Sequence, residues 1–496
     1  MTAGQPDAGR VYSELLSLLA RDGSAVAFYH ERATDGQVSR SQFVADIHAF
    51  AAMIAGPMHA PGADAGAWVA VRDRYLRVVA TLGCLGSGRT ALVEADGPAG
   101  MFDTLAGACP PSLVVCDAVD AGAARWAVAR ATPVHVLRWP DAGRAVASHQ
   151  AECQAVLQFF TSGTTGPVKC IDLGRSQIVA AVTWVGFRLG LTEADTSLSI
   201  APLTHTLGMV TEVLAPLVAG GAVAFADVQR PAALAAVIGT ARPTWCAASP
   251  SGLRMVEKAV SGQGQSWPGL RFLRSSSAPL AAELADQLEA RFGVPVVNAY
   301  VMTEAPGEIA SQDLVIGGKR DTVGRPTLCE VEARSESGPV PPGAEGQIWI
   351  RGPNVAAAGQ MAGGGGTAPW LRTGDIGKLD QDGFLTMTGR SHDVINSGGL
   401  KVWPPEVEAA ALRHPDVHAA VAFPIPHQGL GETVGLIVVP CAGRSVDRTA
   451  VRRLLMSELP RDKWPTTIVV RSQIPVTARG KISRRGIWQQ LGIEAR

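Results

Sequence analysis

The segment Phe160-Thr-Ser-Gly-Thr-Thr-Gly-Pro-Val-Lys169 combines the residue types that bind phosphate. An apolar stretch typical of a strand leads into hydroxyl side chains, glycines and finally a lysine. Backbone N–H groups in such a loop can surround phosphate oxygens, while the hydroxyl groups add donors and the lysine adds a positive charge. The spacing of a P-loop nucleotide-binding protein, GxxxxGK[ST], is absent. The segment therefore indicates a phosphate-binding loop of another kind, with an ordinary turn after a strand as the alternative.

The loop TSGTTGPVK resembles the phosphate-binding signature of the adenylate-forming superfamily, which includes acyl- and aryl-CoA ligases, luciferases and nonribosomal adenylation domains. Five further segments resemble motifs of that superfamily, in the same order along the chain. They are PLTHTLG (202–208), NAYVMTE (298–304), LRTGDIG (371–377), GRSHDVINSGGLKVWPPEVE (389–408) and PVTARGK (475–481). The chain is most similar to the stand-alone carboxylate:CoA ligases of this superfamily.

The resemblance implies which residues bind ATP. Tyr300 would stack against adenine, and Asp375, assisted by Arg390, would accept hydrogen bonds from the ribose hydroxyls, as an acceptor-only carboxylate is suited to do. The segment Arg274-Ser-Ser-Ser-Ala-Pro-Leu280 resembles the adenine-contacting GGAPL segment, with serines in place of both glycines. The remaining residues expected at ATP are Thr161, Ser162, Gly163, Thr164, Thr165, Gly166 and Lys169 in the loop, and Ser276 and Ser277.

The resemblance also implies a catalytic set and a metal. Thr303 would contact the α-phosphate, Glu304 would bind Mg²⁺, and Lys481 would be the catalytic lysine. His205 would lie beside the acid, with an ordinary buried histidine as the alternative. In the same way Asp375 alone would suit a turn cap and Lys481 a solvated tail lysine. The candidate acid pocket, chosen by its position next to the motifs, consists of His205, Thr206, Leu207, Ala248, Ser249, Ser277, Val301 and Met302.

Several positions depart from the family pattern. Cys170 follows Lys169 where the family has glycine, and Val301 replaces the glycine of YGxTE. A β-branched side chain at that place narrows the expected pocket and favours a flat or slim acid. A thiol beside a phosphate loop could be reactive, although a single cysteine is more often a small core residue.

The resemblance implies that a C-terminal domain swings after adenylation, so that a thiol can reach the acyl group. His392 stands at the hinge position, where the family generally has aspartate or lysine, and a hinge residue needs only to absorb a dihedral change. Gly398 and Gly399 would shape the tunnel for the thiol of CoA.

The fold expected from the pattern is α/β. Short β-type segments alternate with helical ones from residue 67 onward, for example 67–71, 91–94, 112–117 and 133–139, which indicates parallel sheets. After residue 338, prolines and glycines separate short segments in which apolar and polar residues alternate, which predicts a β-rich section. We expect a large N-terminal domain at 1–389 that binds ATP and acid, and a small, mobile α+β domain at 390–496 that carries Lys481.

The composition limits the kinds of binding partner that are expected. The 44 Lys and Arg residues balance 44 Asp and Glu residues, so no overall charge favours nucleic acid or an anionic membrane. The eight cysteines include no CxxC pair, which argues against zinc and disulfide frameworks and fits a cytoplasmic setting. No membrane segment is expected, and a homodimer is the assembly expected from the family alone.

The function expected is activation of a carboxylic acid by ATP and Mg²⁺ to an acyl-adenylate, followed by transfer to the thiol of CoA. An aryl or medium-sized hydrophobic acid is expected. An amide bond synthetase, which would pass the adenylate to an amine without CoA, is the alternative. A nonribosomal adenylation domain is disfavoured because PLTHTLG lacks the aspartate that holds an amino group. A protein that only binds nucleotide is disfavoured because Lys481, Glu304 and Asp375 are all present.

Replacing Lys481 by alanine is expected to abolish nearly all acyl-adenylate formation without unfolding the protein. Removing a cation that is preorganised at a negatively charged transition state costs on the order of 3–4 kcal/mol, about a hundredfold to a thousandfold in rate. Pyrophosphate release and circular dichroism of the Lys481→Ala variant measure the two effects. Pyrophosphate release at the wild-type rate would remove Lys481 from the mechanism.

Overall fold

The computed structural model describes most of the chain. The described residues are 19, 22–30, 36–54, 66–87, 89–93, 99–117, 122–137, 157–161, 169–262, 264, 266–316, 318–356, 369–391, 393–398, 400–475, 482 and 484–494. Within these ranges no helix is long and apolar enough to cross a membrane.

The described residues form two compact units. The first contains those up to 161 together with 169–331 and 350–371, and the second contains 332–349 and 372–494. Helices of the first unit are Arg40–Ile54, Arg74–Gly86, Ala99–Ala108, Gly122–Val128, Arg175–Arg188, Ala215–Val218, Pro231–Ala241, Pro250–Gly262 and Ala282–Phe292, with a π-helix at Leu207–Leu214. Helices of the second are Pro404–Leu412, Arg448–Glu458 and Ile487–Gln490, with a 3₁₀ turn at Arg461–Lys463.

The strands are numbered in chain order. Up to residue 326 they are β1 Val26–Tyr29, β2 Gln37–Ser39, β3 Gly66–Ala70, β4 Thr90–Val93, β5 Leu113–Cys116, β6 Val134–Val136, β7 Leu157–Thr161, β8 Lys169–Leu173, β9 Thr196–Ser199, β10 Ala222–Phe225, β11 Trp245–Ala248, β12 Phe272–Ser275, β13 Val296–Met302, β14 Ala305–Ser311 and β15 Arg325–Pro326. The later strands are β16 Glu330–Ser335, β17 Gly338–Pro339, β18 Gly346–Arg351, β19 Leu371–Leu379, β20 Leu385–Arg390, β21 Ile395–Ser397, β22 Leu400–Val402, β23 Val417–His427, β24 Gly431–Pro440 and β25 Thr467–Val470.

Two sheets organise the first unit. The larger has nine strands in the order β15-β14-β13-β12-β11-β9-β10-β1-β2, and it is parallel from β13 to β1. The smaller has six strands in the order β6-β5-β3-β4-β7-β8, with only β8 antiparallel. The predicted parallel α/β body is therefore confirmed, and each β-type segment named from the sequence overlaps a strand.

The main core combines one face of each sheet with the helices packed against them. Buried side chains of β3 and β7 join those of β11 and β12 and of the helices Arg40–Ile54, Arg74–Gly86 and Arg175–Arg188 in a single cluster. Two further clusters cover the outer faces of the two sheets. Burial on both faces explains why the strands are almost continuously apolar, as parallel strands usually are.

The second unit contains the predicted β-rich section and an α+β portion. A five-stranded sheet has the order β17-β16-β18-β19-β20, and β22-β21-β24-β23 form another sheet, with β25 beside β24. The helices Pro404–Leu412 and Arg448–Glu458 pack on the latter sheet around Val407 and Leu455. Gly389 has to be glycine because a Cβ there would lie 2.8 Å from the ring of Trp403. The domain division expected after residue 389 stays a prediction, as does the mobility of the C-terminal part.

A buried carboxylate joins three strands at the amino end of the nine-stranded sheet. Asp195, Thr244 and Arg271 each precede the first residue of a neighbouring strand, β9, β11 and β12. Asp195 accepts hydrogen bonds from the Thr244 hydroxyl at 2.6 Å, from the Arg271 guanidinium and from the Thr192 amide at 2.9 Å. Burial alone would raise the pKa of Asp195, but these hydrogen bonds outweigh it and lower the pKa below its ordinary 3.8.

The variant Asp195→Asn is expected to lower the free energy of unfolding by about 2–3 kcal/mol near neutral pH, because hydrogen bonds to a charged group contribute roughly 1.5–3 kcal/mol. A lowered pKa gives stability that is present above the ordinary pKa and lost as the pH falls through the folded-state pKa. The stability difference between wild type and variant should therefore close below the ordinary value of 3.8.

Urea denaturation across this pH range measures the difference. Asp313→Asn is the control, because Asp313 also pairs with an arginine but its side chain is 62% exposed, where an ion pair contributes little. A stability difference that is unchanged at low pH would contradict the role of the Asp195 carboxylate.

Candidate active site

Four neighbouring strands of the nine-stranded sheet end at the same edge and carry the acid-pocket residues predicted from the sequence. β9, β11, β12 and β13 are mutually parallel, so their carboxyl ends meet there. The chain continues from the ends of β9, β11 and β12 into 200–207, 249 and 276–277, while 300–304 contains the last residues of β13 and the turn after it. Ligands of open α/β sheets generally bind outside the carboxyl ends of the strands. The fold therefore brings the segments PLTHTLG, RSSSAPL and NAYVMTE to a suitable place.

The segment after β9 turns tightly into the π-helix and presents His205. The His205 amide donates to Pro202 O at 3.1 Å, and its carbonyl accepts from the Met209 amide at 3.0 Å. Gly208 is required by this turn, because a Cβ there would lie 2.4 Å from Pro202 O. Thr206 and Leu207 are buried, whereas His205 is exposed. The alternative of an ordinary buried histidine is therefore wrong for His205.

A buried carboxylate beneath this segment was missed by the sequence analysis. Glu212, on the π-helix, accepts hydrogen bonds from the Ser199 hydroxyl at 2.9 Å and from the Ala201 amide at 3.0 Å. Arg74 donates to the same two residues, at 2.9 Å to the Ser199 hydroxyl and at 2.8 Å to Ala201 O. Glu212 and Arg74 together fix the start of the segment that carries His205. The available signal was an acidic residue within the apolar stretch 207–218.

Burial shifts the pKa values of both Glu212 and Arg74. Burial raises the pKa of Glu212 to about 8, against the opposing effects of Arg74 and of the hydrogen bonds from Ser199 and the backbone. Burial also lowers the pKa of Arg74 to about 10, which Glu212 partly offsets. The Arg74 guanidinium lies 4.8 Å from the centre of the Phe225 ring, a cation–π contact that further holds it in place.

The ends of β11 and β12 are tied to each other. The Ser276 amide donates to Ala248 O at 3.0 Å, so the predicted residues at these two ends are adjacent. Ser276 is fully buried, whereas Ser277 is exposed and has a φ of 68°. This left-handed conformation is unusual for a residue with a side chain and costs on the order of 1–3 kcal/mol. It explains why the related segment has glycine here, and strain of this kind is concentrated at functional sites.

The hairpin of β13 and β14 carries the predicted adenine, α-phosphate and metal residues. Tyr300, Val301, Met302, Thr303 and Glu304 are all half-buried, and the pairing register shifts between Tyr300 and Met302. A bulge of this kind redirects side chains and is common beside active sites. These residues thus stand at the same sheet edge as His205 and Ser277.

Arg274 and Glu308 form a buried pair behind this hairpin. Arg274 Nη2 donates to Gly307 O at 2.8 Å and lies 3.5 Å from Glu308 Oε2, and neither side chain is exposed. Burial lowers the pKa of Arg274, while the adjacent Glu308 raises it. Each charge therefore compensates the other inside the fold.

Glu304 suits a magnesium ion that is shared with a nucleotide. It is a carboxylate in the turn between β13 and β14. Among the described residues, no group of three or more His, Cys, Asp or Glu side chains could hold a metal ion. Mg²⁺ typically takes one or two carboxylates from the protein and completes its shell with water and substrate phosphates. One carboxylate at this position fits that mode of binding.

In the second unit, Asp375 and Arg390 face each other across β19 and β20. Arg390 Nε lies 2.9 Å from Asp375 Oδ1, with the Asp375 side chain 6% exposed and the Arg390 side chain 55% exposed. The Thr373 hydroxyl accepts from the Asp375 amide at 3.1 Å and donates to Ile348 O at 2.8 Å, which fixes the turn of the TGD motif. The two residues expected at the ribose are therefore brought together.

A partly buried cluster of charged side chains adjoins two of the predicted positions in the second unit. Arg484 donates to both oxygens of Glu408, at 2.8 and 3.1 Å, and to Asp393 at 3.2 Å. Burial raises the pKa of Glu408, which Arg484 opposes. Asp393 follows the expected hinge residue, and Arg484 follows the segment of the expected catalytic lysine. The sequence analysis missed this connection.

Several predicted residues lie outside the described part of the structure. These are Ser162, Gly163, Thr164, Thr165, Gly166, Lys481, His392 and Gly399, together with the side chain of Thr161. Lys169 is described as the exposed first residue of β8, opposite Thr161, and Gly398 has a φ of 60°. The roles of all the site residues stay predictions.

Comparison with known proteins places this geometry in a family. Residues 19–358 match the family model described as AMP-binding enzyme, and residues 406–481 match the AMP-binding enzyme C-terminal domain. A probable CoA ligase of Humulus lupulus is 36% identical over 339 residues, which are 66% of this chain and 65% of that protein. An oxalate–CoA ligase of Arabidopsis thaliana is 35% identical over 67% of each chain. The chain thus spans about two thirds of the length of these relatives.

A solved structure supports the fold over nearly the whole chain. The amide bond synthetase of Marinactinospora thermotolerans superposes with a TM-score of 0.85 over 98% of this chain and all of the other. At 23% sequence identity this likeness shows a shared fold and no more.

The neutral variant Glu212→Gln is expected to keep the segment of His205 in place. It should also remove the contribution of this residue to the pH dependence of the free energy of unfolding. Because the folded-state pKa is raised from 4.5 to about 8, wild-type stability should fall relative to the variant as the pH rises from 4.5 to about 8, and then level off. The relative loss should be on the order of a few kcal/mol, since one pKa unit is about 1.4 kcal/mol. Urea denaturation of both proteins over this range measures it.

Glu212→Ala is the contrasting variant. It leaves the Ser199 hydroxyl and the Ala201 amide without their acceptor, at about 1–3 kcal/mol for each buried group, so it should be less stable than Glu212→Gln at every pH. Parallel stability curves for wild type and Glu212→Gln would show that Glu212 does not titrate as described.

Proposed function

This chain belongs to the AMP-binding enzyme family, and we propose that it activates a carboxylic acid with ATP and transfers the acyl group to CoA. The first step forms an acyl-adenylate and releases pyrophosphate, and the second forms a thioester and releases AMP. The observation that carries the proposal is the convergence of three motif segments, PLTHTLG, RSSSAPL and NAYVMTE, at the carboxyl ends of neighbouring parallel strands. The named activities of the curated relatives support it.

The chemistry explains why such residues are needed. When a carboxylate attacks the α-phosphate, negative charges are brought together, so the barrier is largely electrostatic. A Mg²⁺ ion held by Glu304 would neutralise phosphate charge when bound. Thr303, beside it in the turn, would donate to the α-phosphate, and Lys481 would add a positive charge at the reacting oxygens.

Other residues would orient the nucleotide. Tyr300 would offer its ring to adenine, and the Asp375 carboxylate would accept from the ribose hydroxyls. Asp375 is held by its own backbone turn and by Arg390, so its position is set in advance. Preorganisation of this kind reduces the entropy lost when the reactants are aligned.

The acid is proposed to be aryl or hydrophobic and of medium size. The candidate pocket residues from His205 to Met302 include no permanently charged side chain. Arg274 is the arginine nearest to them in sequence at the end of β12, but it is fully buried and paired with Glu308. A second carboxylate on the substrate would therefore find no available cation among these residues. Val301 further narrows the pocket.

The proposal is tested by product analysis with ATP, Mg²⁺ and a panel of acids, each with CoA, with a mixture of amines, and with neither. We expect acyl-CoA from aryl or medium hydrophobic acids, with pyrophosphate release that depends on the acid. Mass spectrometry identifies the products. Oxalate belongs in the panel because it is the named substrate of the Arabidopsis relative.

The outcomes separate the parts of the proposal. Best turnover with oxalate would overturn the assignment of the acid but not the adenylation. An amide product formed without CoA would show that the acyl acceptor is an amine and not the thiol of CoA. The His392 position would then be the first place to look for the reason. Absence of pyrophosphate release with every acid would contradict the proposed function itself.

A further inference from the structure

A buried asparagine of the first unit binds the hairpin that carries Thr303 and Glu304. Asn354 follows β18, and its side chain is fully buried. Its Nδ2 donates to Pro306 O at 2.7 Å and to Glu308 O at 3.3 Å, two carbonyl oxygens of β14. One side chain thus holds the backbone of β14 just after the turn between β13 and β14. The sequence analysis did not identify this residue.

The orientation of the Asn354 amide is determined by its three partners. Nδ2 carries two N–H groups and faces two carbonyl oxygens, whereas Oδ1 accepts a hydrogen bond from the Cys329 thiol at 3.1 Å. The reverse orientation would place Oδ1, which has no proton to donate, against both carbonyl oxygens. All the polar groups of the amide are therefore engaged inside the fold. Asn354 can act on the site through the backbone that it binds, and not by touching a substrate.

The segment around Asn354 makes a second connection to the same hairpin. The Ala356 amide donates to Glu304 O at 2.7 Å, so the backbone of the expected magnesium ligand is itself bound. The Val355 amide donates to Gly352 O at 3.2 Å, which closes a turn around Asn354. This segment therefore binds the hairpin at its turn, through Ala356, and in the strand after the turn, through the Asn354 side chain.

Other elements bind the rest of β14. Arg274 Nη2 donates to Gly307 O at 2.8 Å, and the Thr327 amide donates to Ile309 O at 3.0 Å. β15 is two residues long and pairs with the last two residues of β14. Near the turn, the Asn354 side chain supplies hydrogen bonds of the kind that a neighbouring strand would otherwise provide.

We propose that Asn354 is a positioning residue for the adenylation step, which holds Thr303 and Glu304 where the nucleotide and Mg²⁺ bind. The inference rests on the proposed function, in which Thr303 meets the α-phosphate and Glu304 meets the metal. Without the amide, Pro306 O and Glu308 O would lose their donor, and the turn before them would shift. Because a misplacement of about 1 Å can cost about a hundredfold in rate, a small shift of these two groups is sufficient to reduce catalysis.

The variant Asn354→Ala tests this role in the exchange of labelled pyrophosphate into ATP. We expect kcat to fall about tenfold to a hundredfold and the Mg²⁺ concentration for half-maximal exchange to rise about tenfold, as when a group that orients a metal ligand is removed. KM for the acid should stay close to the wild-type value, because the segments of His205 and Ser277 are held by other hydrogen bonds. A loss of folded protein alone would lower the rate but would not change the Mg²⁺ requirement.

Calorimetry of ATP binding, with and without Mg²⁺, measures the same effect without catalysis. The affinity of Asn354→Ala for Mg²⁺–ATP should fall about tenfold relative to the wild type. Its affinity for ATP without the metal should fall less, because Glu304 then has no ligand to position.

Gln312→Ala is the matched control. Gln312 is also buried, but it follows β14 at the end away from the turn. Its Nε2 donates to Lys319 O at 2.6 Å and to Thr322 O at 3.1 Å. Its Oε1 accepts from the Asn298 amide at 3.3 Å. Urea denaturation should show a comparable loss of stability in Gln312→Ala and Asn354→Ala, whereas the Mg²⁺ requirement of Gln312→Ala should be that of the wild type.

Two substitutions of Cys329 give an independent measurement if Asn354→Ala folds poorly. Cys329→Ala removes the donor to Asn354 Oδ1, so the amide is held less firmly and the Mg²⁺ requirement should rise, by a smaller factor than in Asn354→Ala. Cys329→Ser supplies a hydroxyl donor and should restore most of the wild-type behaviour.

Two results would overturn the positioning role. The first is an Asn354→Ala variant with the wild-type Mg²⁺ requirement and the wild-type affinity for Mg²⁺–ATP. The second is an equal change in Gln312→Ala, which would show that the loss of any buried amide in this unit has the same effect. Wild-type protein that binds Mg²⁺–ATP but exchanges no pyrophosphate with any acid would instead count against the proposed function. The binding comparison of the two variants would then still decide the role of Asn354.

Discussion

The candidate site depends on one constraint, the shared direction of the parallel strands β9, β11, β12 and β13. Their carboxyl ends must meet at one edge, and the segments PLTHTLG, RSSSAPL and NAYVMTE lie there. At the opposite edge, Asp195 links the starts of three of these strands through hydrogen bonds to Thr244 and Arg271. These hydrogen bonds stabilise the sheet at the amino ends of its strands. The loops at the carboxyl ends are therefore available to bind ligands.

Two ionisable side chains beneath those loops then set their shape. Glu212 and Arg74 share the Ser199 hydroxyl and the backbone of Ala201, so the segment of His205 starts from a fixed position. Removing the Glu212 acceptor leaves the Ser199 hydroxyl and the Ala201 amide without their partner, which costs more than one hydrogen bond contributes. These two side chains serve the architecture, and the residues offered to the acid carry no permanent charge. That division is the physical basis for assigning a hydrophobic acid.

The sequence predicted the parallel α/β body, the β-rich section and the motif segments, because local patterns and residue types determine them. It could not predict contacts between distant residues. Arg74 and Glu212 come together at Ser199 and Ala201 only in the folded chain. The exposure of His205 and the left-handed backbone of Ser277 likewise follow from the three-dimensional turn. Residue types thus predicted the chemistry of the site, whereas the contacts that hold the site residues in place depend on tertiary packing.

Exchange of labelled pyrophosphate into ATP tests the central claim most directly, because it reports formation of the acyl-adenylate alone and needs neither CoA nor an amine. The account predicts exchange that requires Mg²⁺ and a suitable acid and that proceeds without any acceptor. Exchange that occurs equally without acid, or no exchange with any aryl or aliphatic acid, would contradict it.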